Sequence, residues 1–242
     1  MARTMKTVPE IPPNPDPRFV HPPCGQWRVR GLYAIADGAY LSATRLVPAV
    51  EQALQGGARV IQYRDKDADA GTRCRRAVAL ARLCERYAVP LIVNDDPLLA
   101  LDAGAQGVHL GRDDGDAADA RTVLGAGAII GVSCYNEFKR AVRAADAGAD
   151  YVAFGSVYPS RTKPQAVHAG RELLRRARAE LDLAVVAIGG IKPENSAALI
   201  EAGADALAVI AGVFGETDIC AAASAYAQLF PRRQHKPGCE PP

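Results

Sequence analysis

The chain has 242 residues, of which 49% are apolar and 23% charged, and a formal net charge of +2. That length is ample for a sizeable hydrophobic core, and the near-neutral balance gives no electrostatic footprint for nucleic acid. No apolar run approaches membrane-spanning length and no signal-like segment follows Met1, so a cytoplasmic protein without a membrane partner is expected.

Up to about Trp27 the chain is punctuated by Pro9, Pro12, Pro13, Pro15, Pro17, Pro22 and Pro23. Proline lacks the amide proton that helices and central strands need, so residues 1–27 read as a disordered or extended arm. Residues 28–230 read as one regular domain, and 231–242 as a flexible tail whose Arg232-Arg233-Gln234-His235-Lys236 run is a solvated terminus. The six cysteines (Cys24, Cys74, Cys84, Cys134, Cys220, Cys239) show neither zinc-site spacing nor a disulfide framework. They read as free and mostly buried thiols, with Cys134 noted only for its position.

Within the regular region a unit repeats. Gly57-Ala58-Arg59, Gly104-Ala105-Gln106, Gly148-Ala149-Asp150 and Gly203-Ala204-Asp205 each end a helical pattern and open a short apolar run. Glycine suits the left-handed cap of a helix, and the run behind it suits a parallel strand buried on both faces. Further runs cover Gly31–Ala36, Pro90–Val93, Ala128–Val132 and Leu183–Ile188, separated by amphipathic stretches such as Thr72–Tyr87 and Glu137–Ala147. Eight strands alternating with eight helices predict a closed (β/α)8 TIM barrel, an α/β single domain, in preference to a doubly wound sheet.

Active sites of such barrels lie at the carboxyl ends of the strands. Strand one ends at Asp37. Strand two, Gly57 to Lys66, ends by turning Gln62, Arg64 and Lys66 to one face while Ile61 and Tyr63 take the other. Two cations and an amide at the end of an apolar run suit a phosphate clamp, with arginine as a fork and lysine as a point charge; a solvated strand end is the alternative. Strand three ends at Asn94-Asp95-Asp96, and strand four runs into His109-Leu110-Gly111-Arg112-Asp113-Asp114. Asp96 before Pro97 fits an N-cap with proline at the first helical position, and Asp113 or Asp114 could equally cap the following helix. Capping does not account for Asn94 and Asp95, or for acids at two adjacent strand ends. Two hard carboxylates beside a cation clamp suit Mg²⁺. His109 reads as packed or hydrogen-bonded rather than catalytic, and Ser133, which ends strand five, could simply be a small residue at a tight strand end.

Strand six opens into Gly155 through Pro164, a long loop with Ser160, Thr162 and Lys163 held between prolines. Those groups suit a ligand phosphate; a solvated loop is the alternative. Gly189-Gly190 after strand seven and Ile210-Ala211-Gly212 after strand eight leave backbone amides bare, which fits the phosphate cradle common at strands seven and eight.

Read together, these motifs resemble the thiamine phosphate synthase family over nearly all of Arg30 to Phe230. Gln62-Tyr63-Arg64-Asp65-Lys66 is similar to the family's pyrimidine-diphosphate motif. Asn94-Asp95 and Val108-His109-Leu110-Gly111-Arg112-Asp113-Asp114 are similar to its metal-site motifs. Ser160-Arg161-Thr162-Lys163, Ala187-Ile188-Gly189-Gly190-Ile191 and Val209-Ile210-Ala211 are similar to its later ligand-binding segments. Arg112 stands where the family often has Gln, Ser160 where Thr is frequent, and Ala211 where Ser is usual.

The resemblance implies a transferase joining 4-amino-2-methyl-5-hydroxymethylpyrimidine diphosphate to 4-methyl-5-(2-hydroxyethyl)thiazole phosphate by Mg²⁺-assisted dissociative displacement. It implies Arg64, Lys66 and Lys163 as the catalytic cations. The pyrimidine diphosphate would be held by Gln62, Tyr63, Asp65, Asn94 and Ser133 together with those three. Ser160, Arg161, Thr162, Gly190, Ile210 and Ala211 would hold the thiazole phosphate, and Asp95 and Asp114 the Mg²⁺. Its partners are small phosphorylated substrates, and a homo-oligomer stays open. Two other readings remain: a thiazole tautomerase-like enzyme on the same barrel, which should lack the Gln-Arg-Lys face and the two acids, and a non-catalytic sensor of phosphorylated ligands.

Overall fold

The computed structural model describes residues 29–159 and 167–230. The arm and the tail expected from the sequence lie outside these residues, as do Ser160, Arg161, Thr162 and Lys163. Eight parallel strands close into a barrel in chain order: β1 (Gly31–Asp37), β2 (Val60–Arg64), β3 (Leu91–Asn94), β4 (Gly107–Leu110), β5 (Ile129–Tyr135), β6 (Tyr151–Gly155), β7 (Ala184–Ile188) and β8 (Ala206–Val209). Between them run α1 (Leu46–Gln55), α2 (Ala70–Arg86), α3 (Pro97–Ala103), α4 (Ala117–Leu124), α5 (Phe138–Asp146), α6 (Arg171–Glu180) and α7 (Pro193–Glu201). After β8 come a short helix α8 (Ala211–Phe214) and the closing α9 (Ile219–Ala227). The expected eight-fold alternation holds, with one extra helical turn. Among the described residues no helix is long and apolar enough to cross a membrane.

Alternation along each strand divides the core in two. Leu32, Ala34, Ile61, Tyr63, Val93 and Val108 face outward and pack under the helices. Tyr33, Ile35, Val60, Ile92, Ile129, Tyr151 and Val186 face inward and fill the barrel. Both populations are buried, which is why the strands read as unbroken apolar runs. The four glycines expected to stop helices all have left-handed backbone, with φ of 99° at Gly57, 68° at Gly104, 82° at Gly148 and 101° at Gly203. A Cβ in that conformation would be strained.

Capping follows the sequence in part. Asp96 accepts from the Leu99 amide at 2.9 Å with Pro97 at the start of α3, as expected. Helix α4, however, is capped by Asp116, which accepts from the Asp119 amide at 2.9 Å. Neither Asp113 nor Asp114 is that cap, because a further turn through Gly115 (φ 90°) separates them from the helix. Strand β5 runs to Tyr135, beyond the expected end at Ser133, and its register with β6 shifts between Ser133 and Tyr135. That irregularity leaves Tyr135 at φ 54°.

Interior space is tight where it matters for the site. A Cβ on Gly131 would lie 1.9 Å from Cζ and 2.3 Å from Oη of Tyr151, so the missing side chain on β5 makes room for the tyrosine crossing from β6. Gly131→Ala should therefore cost about 1–3 kcal/mol through overpacking. Urea unfolding reads this directly, and an unchanged midpoint would mean that Tyr151 moves aside freely.

Candidate active site

A cavity of about 1670 Å³ opens at the carboxyl ends of the strands. Gln62, Arg64, Asn94 and Ser133 line it from β2, β3 and β5. Gly190, Ile210 and Ala211 line it from the ends of β7 and β8. Residues spread over 150 positions of sequence thus converge because each ends a strand of one closed sheet. Tyr63 and Asp65 do not join them. The strand alternation that sends Gln62 and Arg64 inward sends these two outward, beneath α2. There Tyr63 Oη donates to Asp65 at 3.2 Å, and Asp65 is bound by Arg76 at 2.5 Å. Burial pushes the Asp65 carboxyl up, but Arg76, the Ala68 amide and Tyr63 together hold it below its ordinary value. This cluster braces β2 against α2 and faces away from the cavity.

The clamp cations are each paired with an acid. Arg64 donates to Asp37 at 2.6 Å, and the Asp37 side chain is only 3% exposed. Asp37 also accepts from the Ala39 amide at 3.0 Å, so it is fixed by its own turn and fixes the guanidinium in turn. Lys66 sits 3.1 Å from Asp95. Its side chain is 56% exposed, so this pair is loose where the first is rigid.

Lys66, Asp95 and Asp114 gather just past the ends of β2, β3 and β4, beside the residues that line the cavity rather than among them. Asp95 has φ 68°, an uncommon backbone for a residue with a side chain, and its amide is tied to the His109 carbonyl at 2.8 Å. Asp114 accepts from the Gly111 amide at 2.8 Å and lies against Asp95. Burial and then Asp95 raise the Asp114 carboxyl above its ordinary value, against the pull of the Gly111 amide and Lys66. Two carboxylates pressed together at a strained residue form a hard-oxygen pair suited to a divalent cation.

Across the cavity floor runs a buried polar chain. Gln62 Nε2 donates to Tyr33 Oη at 2.9 Å, Tyr33 Oη meets Tyr151 Oη at 2.8 Å, and Tyr151 Oη meets His109 Nδ1 at 2.9 Å. His109 Nε2 then meets Ser133 Oγ at 2.8 Å. His109 is hydrogen-bonded as expected, but the residues alone gave no sign of a serine–histidine pair, and the barrel makes one. The group behind this histidine is a phenol. Burial pushes both Tyr33 and Tyr151 far above the ordinary phenol range, so neither supplies the anion that a nucleophilic triad uses to steady an imidazolium. Cys134 is equally inert, because burial raises its thiol to about 12.

Sequence reasoning missed Tyr33, Tyr151 and the part played by Asp37. The tyrosines sit inside apolar runs that look like any core strand. Arg112, whose role the sequence left open, packs over the Tyr135 ring at 4.7 Å and donates to Glu137 at 2.5 Å. Arg140 from α5 donates to the Ser133 and Gly111 carbonyls, both at 2.7 Å, stitching β5 to the loop after β4. On the far side the backbone turns at Gly189 (φ 104°) and Gly190 (φ 61°). A Cβ on Gly190 would meet the Pro159 carbonyl oxygen at 2.4 Å, so the bare amides there are a packing requirement as well as an anion-ready surface.

A family model described as thiamine monophosphate synthase matches residues 32–213. The thiamine-phosphate synthase of Nitrosococcus oceani is 57% identical over 203 residues, 84% of this chain and 94% of that protein. That of an Azoarcus species is 56% identical, over 84% of this chain and 98% of its own length. Among solved structures, the thiamine phosphate pyrophosphorylase of Pyrococcus furiosus superposes with a TM-score of 0.75 at 34% identity, over 82% of this chain and 94% of that one.

The acid pair predicts its own cost. A carboxyl raised in the folded state stabilises most below its unfolded pKa, and that contribution is lost as pH rises through the folded value. Asp114→Asn should therefore melt at or above the parent's temperature at neutral pH, with the advantage vanishing in acid. A lower melting temperature at neutral pH would show that the Gly111 and Lys66 contacts outweigh the repulsion.

Proposed function

The chain belongs to the thiamine monophosphate synthase family, and we propose that the cavity described above is where its two phosphorylated substrates meet. The reaction is the condensation of 4-amino-2-methyl-5-hydroxymethylpyrimidine diphosphate with 4-methyl-5-(2-hydroxyethyl)thiazole phosphate, giving thiamine phosphate and pyrophosphate. The observation that carries the site assignment is the division of the cavity mouth into two anion-ready sectors. Cations and acids crowd the ends of β2, β3 and β4, while bare backbone amides turn at the ends of β7 and β8.

In this reading Arg64 and Lys66, joined by Lys163, hold the diphosphate, with Asn94 between them. Arg64 arrives pre-aligned by Asp37, so little reorganisation accompanies binding. Gln62 and Ser133 meet the pyrimidine. Gly190, Ile210 and Ala211 cradle the thiazole phosphate, joined by Ser160, Arg161 and Thr162. Tyr63 and Asp65 act one layer back, by fixing β2 against α2. Asp95 and Asp114 would hold Mg²⁺, which when bound supplies positive charge beside the departing pyrophosphate. The chain's own residues orient the two halves, offset the developing negative charge and keep bulk water from the carbon that loses its diphosphate. No nucleophilic side chain is required, which agrees with an inert Cys134 and a Ser133 held in a buried relay.

A tautomerase-like activity would have no use for a paired clamp and acids at β2 to β4, and a sensor would have no use for a strained carboxylate pair. We place the enzyme in the cytoplasm, acting on small molecules without a nucleic-acid or membrane partner.

Mixing both phosphorylated halves with the protein should release thiamine phosphate and pyrophosphate, and Asp95→Asn should lower turnover by at least about two orders of magnitude. Near-normal turnover in that variant with Mg²⁺ present would remove Asp95 from the metal site. Arg64→Ala should weaken transition-state binding of the pyrimidine diphosphate by about 2–4 kcal/mol, and that of the thiazole phosphate by less. Because it also strands the buried Asp37 carboxylate, the fair comparison includes Arg64→Ala combined with Asp37→Asn. Equal losses for both substrates would make the clamp structural.

A further inference from the structure

The relay on the cavity floor has a direction that follows from counting protons. An amide nitrogen can only donate, so Tyr33 Oη accepts from Gln62. Its single proton is then directed to Tyr151 Oη. Tyr151, having accepted, directs its own proton to His109 Nδ1, which must be an unprotonated acceptor. A neutral imidazole accepting at Nδ1 carries its proton on Nε2, and that proton points at Ser133 Oγ. The Ser133 hydroxyl proton is left for the cavity. At the other end, donation of one Gln62 N–H to Tyr33 fixes the orientation of the amide, which presents its carbonyl oxygen as the acceptor toward the cavity whose wall both end residues form.

Burial enforces this order. Tyr33 is 1% exposed and Tyr151 0%, so neither phenol can turn to solvent for a substitute partner, and both ring nitrogens of His109 are already engaged. Among the described residues no buried side-chain polar atom lacks a hydrogen bond. An imidazolium at His109 would aim a second proton at Tyr151. One phenol proton would then have no acceptor, the kind of orphaned group that a buried network cannot hold cheaply.

We propose that Tyr33, Tyr151 and His109 are positioning residues that set a one-way hydrogen-bond relay, making Ser133 a dedicated donor and the Gln62 carbonyl a dedicated acceptor toward the pyrimidine. This deepens the reading of the site given above and rests on the pyrimidine binding over Gln62 and Ser133. The relay favours a ring that offers an amino donor at one end and an unprotonated ring nitrogen at the other. A ring with an oxo group in place of the amino group would put oxygen against oxygen at Gln62, which a buried site rejects by more than the loss of one contact.

The first measurement needs no substrate. Long-range ¹H–¹⁵N NMR of the free protein, with the His109 signals assigned by their loss in His109→Asn, should show the Nε2–H tautomer throughout the neutral range. An Nδ1–H tautomer, meaning a relay running the other way with the Gln62 carbonyl turned to Tyr33, overturns the proposal, as does an imidazolium. The second measurement uses Tyr151→Phe and Tyr33→Phe. Each should raise KM for the pyrimidine diphosphate by about tenfold while KM for the thiazole phosphate stays within about twofold. A rise shared equally by both substrates, or a fall in kcat alone, overturns the positioning role. The oxo analogue of the pyrimidine diphosphate should compete about tenfold or more less well than the amino compound, and equal competition counts against a directed relay. If the parent protein forms no thiamine phosphate, the assigned function fails by itself, and the tautomer measurement still decides the direction of the relay.

Discussion

Closure of eight parallel strands makes one constraint felt at every level of this protein: whatever points inward must fill a space of fixed width and satisfy its own polar atoms there. Inward positions on neighbouring strands are bound to each other by register, so His109 lies beside Gly131 and Gly131 beside Tyr151. Tyr151 reaches across only because Gly131 yields its side-chain volume, and its hydroxyl must then find partners inside the barrel. It finds Tyr33 and His109. The polar floor of the cavity is thus a by-product of filling the core, and the same contacts decide which way Gln62 and Ser133 face.

Above the floor, electrostatics divide into a rigid and an adjustable part. The Arg64–Asp37 pair is anchored by an almost fully buried carboxylate that its own turn also holds. Breaking such a pair leaves an uncompensated buried charge, which costs far more than the pair itself contributes. The Lys66–Asp95 pair is exposed and costs little to rearrange. A multiply charged anion can therefore be met by one cation that is already in place and another that is free to move.

Asp95 and Asp114 show the opposite economy, with strain concentrated where chemistry is needed. Asp95 holds a left-handed backbone, and Asp114 is kept near it by the Gly111 amide although the two carboxylates repel. Strain and like-charge repulsion of this kind persist when the surrounding structure over-determines them. Here the tie from the Asp95 amide to the His109 carbonyl and the stitches from Arg140 to Ser133 and Gly111 hold the ends of β3, β4 and β5 in place.

How much of this was legible from the chain depends on the range of the interaction. The repeat of glycine stops and apolar runs is a local signal, since helix caps and strand alternation act over a few residues, and it was enough to give the barrel and the strand ends that carry Arg64, Asn94, Ser133 and Gly190. The period of two also placed Gln62, Arg64 and Lys66 on one face, and it contained the information that Tyr63 and Asp65 belong to the other. Motif resemblance grouped all five, and only the packing under α2 separated them. The cap of α4 fell to Asp116 rather than Asp113 or Asp114 because the turn through Gly115 adds residues that no spacing rule supplies. Tyr33 and Tyr151 were invisible as functional residues because a tyrosine in an apolar strand has the same local pattern whether its hydroxyl is solvated, wasted or shared. Their partners lie 118 residues apart in the chain and 2.8 Å apart in space. Local chemistry therefore determined the elements and the side chains offered at their ends, whereas pairing among those side chains was decided by closure, which alone brings distant strands to hydrogen-bonding distance.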